Sequence, residues 1–162
     1  MSKKNYSEIT PEIMKLSEVC RISNGIEPEL YKKYKVNRGL RDLNGNGVLT
    51  GLTEISEINS KEIVEGIAVP CAGELFYRGY NIKELIAGIV SEQRFGFEET
   101  IYLLLMGNLP TKKDFDSFYE LLSGYRTLPN SFTRDVIMKA PSSDIMNSLA
   151  RSVLTLYSYD QN

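Results

Sequence analysis

From Phe97 to Met106 the chain reads Phe-Glu-Glu-Thr-Ile-Tyr-Leu-Leu-Leu-Met, and its last six residues are apolar on every side of a helix. Such a helix has no face to give to water, so other elements must be built around it. Gly107 and Pro110 stop it, and it becomes the expected centre of the core. Neighbouring segments have the pattern needed to cover it. Asn81 with Glu84 three residues later is a capping arrangement, and Ile82, Leu85, Ile86, Ile89 and Val90 recur at helical spacing. Thr111 with Asp114 starts another helix, in which Phe115, Phe118, Leu122 and Tyr125 turn inward while Lys112, Lys113, Asp116 and Glu120 stay wet. Pro129-Asn130 interrupts the chain before a shorter helix carrying Phe132, Val136 and Ile137. After Pro141-Ser142-Ser143 a last helix carries Ile145, Leu149, Val153 and Leu156 as far as about Tyr159.

Ahead of Asn81 the pattern changes twice. Thr10-Pro11-Glu12 opens a first helix, because Thr caps free amides and Pro at the first helical position loses no needed hydrogen bond. Ile9, Ile13, Leu16 and Cys20 line one side of it, and a short helix from about Pro28 to Tyr34 follows the turn signal Asn24-Gly25. From Gly39 onward β character sets in. Asn44-Gly45-Asn46-Gly47 is a turn cluster, Val48 to Thr53 favours strand, and Ile63-Val64 and Ile67-Ala68-Val69 flank a tight hairpin at Glu65-Gly66. Leu75 to Tyr80 reads as one more short strand after a turn at Ala72-Gly73. The expected fold is mainly α, multi-helical, with a small β hairpin region near residues 47–80. Residues 1–38 form an amino-terminal helical leader and residues 39–162 the main body, with no internal repeat and no low-complexity segment.

Composition narrows the function. Basic and acidic side chains nearly balance, to a net charge of -2, and the one dense basic stretch, Lys32, Lys33, Lys35, Arg38 and Arg41, is offset by Glu29 and Asp42. No nucleic-acid partner is expected from that balance. Lys3, Lys4, Glu8, Glu12, Lys15 and Glu18 break up the first twenty residues, which excludes a signal peptide or membrane span there. Cys20 and Cys71 form no Cys-x-x-Cys pair, so no metal clip or redox motif is visible and two thiols suit a reducing cytoplasm.

The chain contains no histidine, so Ser142, Ser143, Ser148 and Ser152 have no imidazole to activate them as nucleophiles. Gly45-x-Gly47 with Gly51 has the wrong spacing for a dinucleotide fingerprint and reads as a turn. Glu98-Glu99, and Asp114 with Asp116, could be imagined as an acid and base. Adjacent positions on a helix point in different directions, however, and these acids read as first-turn carboxylates favoured by the helix dipole.

Seven pieces in order carry a resemblance. They are a Gly-rich opening, Thr53-Glu54-Ile55-Ser56 as a strand, Gly73-Glu74-Leu75-Phe76-Tyr77-Arg78-Gly79-Tyr80 turning into a helix, Glu98-Glu99 leading to Tyr102-Leu103-Leu104, Gly107-Asn108-Leu109-Pro110-Thr111, Tyr125-Arg126-Thr127-Leu128-Pro129, and Ser148-Leu149-Ala150-Arg151-Ser152-Val153. From about Gly39 to Asp160 the chain resembles the amino-terminal part of a citrate synthase, the front of that family's large domain, and the long leader is similar to an extended bacterial branch.

The resemblance implies an acyltransferase that condenses acetyl-coenzyme A with oxaloacetate to give citrate, at the start of the tricarboxylic acid cycle, with acetyl-coenzyme A a substrate and no tightly bound cofactor. It implies a cytoplasmic homodimer in which the helix matching Ile145 to Tyr157 packs between subunits. In the family an aspartate removes a methyl proton, one histidine stabilises the enol and another donates to the oxaloacetate ketone, with arginines on the carboxylates. These groups belong to later motifs, so no catalytic, cofactor-binding or metal residue is assigned and the 162 residues are expected to be inactive alone. Arg38 and Arg41 fall where the family's opening segment passes near the coenzyme A phosphates, but read better as a solvated basic turn, and Arg78 reads as a packing and hydrogen-bonding residue. The finish at Tyr159-Asp160-Gln161-Asn162, directly after a helix, reads as a cut in a longer protein. Two alternatives stand beside this reading: a 2-methylcitrate synthase fragment acting on propionyl-coenzyme A, and a free-standing helical interaction module derived from the enzyme.

Overall fold

A computed structural model describes residues 8–37, 39–45, 47–139 and 141–159. Among them the order of elements is α1 (Pro11–Ser23), α2 (Pro28–Lys33), β1 (Ser56–Val64), β2 (Ile67–Tyr77), β3 (Tyr80–Asn81), α3 (Ile82–Ser91), α4 (Phe97–Met106), α5 (Lys112–Tyr125), a π-helical segment (Thr133–Met138) and α6 (Ile145–Tyr157). The fold is mainly α with one small antiparallel sheet, as the periodicity predicts.

The helix starts follow the side chains that can hold free amides. Thr10, Asn81, Thr111 and Asp144 each accept from a backbone N–H in the first turn of α1, α3, α5 and α6. At the other end of α4, Gly107 takes a left-handed φ of 88° and its N–H donates to the Leu103 carbonyl at 2.9 Å. A side chain at Gly107 would also bring a Cβ within 3.1 Å of Ser23 Cβ, so this glycine both ends α4 and lets the end of α1 come close.

Helix α4 lies between α1 and α5. Tyr102 and Met106 pack with Phe118 of α5, and Leu16, Val19, Cys20, Ile101 and Leu122 close around them. The Tyr102 and Phe118 rings meet edge to face, 5.4 Å between centroids. Leu103 is wholly enclosed. The cover is nevertheless two-sided rather than complete, since Phe97 and Leu105 of the same helix are exposed.

The sheet has the order β1-β2-β3, all antiparallel. The expected turn at Glu65-Gly66 is present, with φ of 52° and 82°, the pair of positive angles that a two-residue hairpin needs to match strand twist. A second turn of the same kind, Arg78-Gly79 with φ of 50° and 83°, joins Tyr77 to Tyr80, and α3 begins immediately after β3 and packs on β2 and β3.

Three expectations about the β region are corrected. Val48 to Thr53 is not a strand: no neighbouring strand pairs with it, and the backbone there makes only scattered bonds such as Asn37 N–H to the Leu49 carbonyl at 2.8 Å. The strand expected at Thr53-Glu54-Ile55-Ser56 begins only at its last residue, because the Thr53 hydroxyl accepts from the Ile55 N–H and turns the chain first. Ala72-Gly73 is not a turn either. Asn59 pairs with Glu74 and Lys61 with Pro70, so Cys71, Ala72 and Gly73 bulge opposite Ser60 and β2 runs through as one strand. Pro70, which has no N–H to donate, sits beside that bulge, where the ladder is already interrupted.

The π-helical segment packs on α6, and Phe132, just before it, is buried with the Tyr159 ring 5.9 Å away. The apolar face expected on α6 is exposed: Ile145, Leu149 and Val153 are 72%, 55% and 64% accessible. No helix among the described residues is long and apolar enough to cross a membrane.

Candidate functional site

The densest polar constellation sits where the second hairpin turn meets the ends of two helices. Arg78 is held there in the left-handed region, and its guanidinium reaches across three chain segments. Nε and Nη2 donate to the Leu104 carbonyl at 3.1 and 2.8 Å, Nη1 donates to the Ser23 carbonyl at 3.2 Å, and Nη2 also donates to Asn24 Oδ1 at 2.5 Å. Asn24 completes the joint, its Nδ2 donating to the Cys20 carbonyl at 2.6 Å and the Leu105 carbonyl at 3.1 Å. The last turns of α1 and α4 leave carbonyls without helical partners and carry the negative end of the helix dipole, so a cation with several donors fits them. Beside the joint is an open depression of about 420 Å³ lined by Ser23, Glu54, Arg78, Met106, Gly107 and Asn108.

This geometry bears out the reading of Arg78 as a packing and hydrogen-bonding residue. All four of its side-chain hydrogen bonds shown go to backbone carbonyls and to Asn24. Asn24, read from sequence only as part of a turn, is the partner that reasoning along the chain missed; no local signal ties it to a residue more than fifty positions away. Arg41 is likewise occupied within its own loop, with Nη1 donating to the Gly45 carbonyl at 3.2 Å and its backbone bridged to Gly47. Arg38 lies outside the described residues.

The carboxylates that might have been taken for an acid and base pair diverge. Glu98, at the first turn of α4, is buried and paired with Arg126 beyond the end of α5, while its neighbour Glu99 pairs with Arg94. The Arg126 hydrogen bond, aided by the backbone amide of Glu98 itself, holds the Glu98 carboxyl below its usual range. Asp114 accepts from the Thr111 hydroxyl at 2.6 Å as part of the α5 cap, and Asp116 accepts from Lys112 Nζ at 2.6 Å one turn away. Asp135 is drawn down to about 2 by Arg134 and then Lys139. Burial, with the Asp114 charge nearby, pushes the Tyr102 hydroxyl up. The serines serve helices: Ser152 donates to the Ser148 carbonyl at 2.8 Å, and Ser142 accepts from the Asp144 N–H.

Among the described residues no cluster of three or more His, Cys, Asp or Glu could hold a metal ion, and every buried side-chain nitrogen or oxygen has a partner. Chemically, the arrangement supplies positioned helices and satisfied ion pairs. Among the described residues the carboxylates and serines named above are taken up in caps, ion pairs and helix turns, and the sequence has no imidazole to add.

Comparison with known proteins places this scaffold. The family model described as citrate synthase, C-terminal domain, matches residues 42–162. A citrate synthase of Saccharolobus solfataricus is 34% identical over 91 residues, which are 56% of this chain and 22% of the relative. A 2-methylcitrate synthase of Corynebacterium glutamicum is 33% identical over 94 residues, 58% of this chain and 19% of the relative. A citrate synthase of Haloferax volcanii is 32% identical over 93 residues, 56% of this chain and 23% of the relative. The match thus spans about a fifth of the length of these relatives. No solved structure matches the chain significantly.

Proposed function

Because the chain belongs to the citrate synthase family, we propose that it is the front part of an acyltransferase that condenses acetyl-coenzyme A with oxaloacetate to give citrate. The observation that carries this reading is the family match across residues 42–162, joined by relatives that are themselves citrate synthases. In this reading residues 39–162 are the beginning of the large domain, residues 1–38 a leader, and the parent a cytoplasmic homodimer with both substrates bound outside these residues. Cys20 and Cys71 are both free thiols, as suits a reducing compartment.

The reading makes these residues a scaffold. Carbon–carbon bond formation of this kind needs a group to take the methyl proton and donors to hold the developing enolate and the ketone oxygen. In the family two of those three roles fall to imidazole, and none is present here. The 162-residue chain alone is therefore expected to release no thiol from acetyl-coenzyme A in the presence of oxaloacetate. Oxaloacetate-dependent thiol release by a preparation free of host enzyme would overturn the scaffold reading.

A second reading, 2-methylcitrate synthase, is favoured by the presence of two such enzymes among the relatives, from Corynebacterium glutamicum and Shewanella oneidensis. Assaying the full gene product with acetyl and propionyl thioesters separates the two. Faster turnover of acetyl-coenzyme A supports citrate synthase, and faster turnover of propionyl-coenzyme A replaces it with the second reading. Activity on neither would leave a helical interaction module derived from the enzyme.

A further inference from the structure

We draw no further inference here: the strongest candidate, the tip of the β1–β2 hairpin, where Ile63, Ala68 and Pro70 share one face and Val64, Ile67 and Val69 the other, is an unpartnered apolar surface on both sides and nothing in the structure shows what covers it.

Discussion

Arg78 adopts a backbone conformation that L-residues avoid, at a cost of about 1 kcal/mol or more, and its side chain makes four hydrogen bonds to Ser23, Asn24 and Leu104. Bonds from a charged donor contribute about 1.5–3 kcal/mol each when buried, and less at this half-buried position. Replacement of Arg78 by Ala is expected to cost about 2–4 kcal/mol in chemical denaturation. Arg78→Lys should recover little, because an ammonium cannot span two carbonyls and an amide as a planar fork does. Arg78→Gly should fall about 1 kcal/mol short of the alanine loss by relieving the backbone; full stability in the lysine variant would remove the fork from the account. The Glu98 pair gives a pH signature. A carboxylate whose native pKa is depressed adds stability that is fully present above its unfolded value, about 4.3, and is lost as pH falls through the native value. Glu98→Gln should therefore be less stable than the parent at pH 7, with the gap closing on acidification below about pH 4. A gap independent of pH would point to packing instead. The sequence made part of this legible: Arg78 between Tyr77 and Gly79 read as a turn residue, and Glu98-Glu99 as first-turn acids. Their partners were hidden, because Ser23 and Arg126 lie 55 and 28 residues away and local patterns carry no such pairing.

At the scale of elements, helix boundaries were the readable part, since capping is local chemistry. Asn81 and Thr111 cap α3 and α5 as their side chains predict, and Gly107 ends α4. The β region was harder, because a strand exists only where a partner runs alongside. Among the described residues Val48 to Thr53 has the composition of a strand but no strand paired with it, whereas Ala72-Gly73 reads as a turn and is kept in β2 by pairing on either side of it. The Glu65-Gly66 turn was legible because its two-residue length selects the type. Glutamate is nonetheless a poor fit at φ 52°, where asparagine is preferred. Glu65→Asn is expected to stabilise the hairpin by about 0.5–1 kcal/mol, seen as slower hydrogen exchange across β1 and β2 with α1 to α5 unchanged; faster exchange would mean that the glutamate side chain has a role of its own.

On the scale of the molecule, accessible surface is the telling quantity. The chain exposes 13214 Å², against about 8,100 Å² expected for a compact monomer of its mass. The difference, about 5,100 Å², is more than one partner gives up even in a large obligate interface, about half of a total of 2,000–5,000 Å². Exposed apolar side chains contribute to it, among them those of α6 and the outer hairpin. Surfaces of this kind associate, so light scattering on the isolated chain should show mass rising with concentration. Leu149→Glu with Val153→Glu should lower it, since both side chains lie on the exposed face of α6. A clean monomer at high concentration would show that the face tolerates water. The helical class and the order of the helices were readable from periodicity; how much surface would stay uncovered was not, because periodicity marks a face as apolar without saying what meets it.

The bulge in β2 also limits how this strand can change length. Between Asn59 and Lys61 one strand advances by two positions while the other advances from Glu74 to Pro70 by four, so the surplus is even and the side chains keep their phase on either side of it. Loss of a single residue among Cys71, Ala72 and Gly73 would leave two residues opposite Ser60, the ordinary one-residue bulge, and Val69 and Ile67 would keep their side only through the local kink that such a bulge imposes. Losing two would pair the strands residue for residue and leave the orientation intact without any kink.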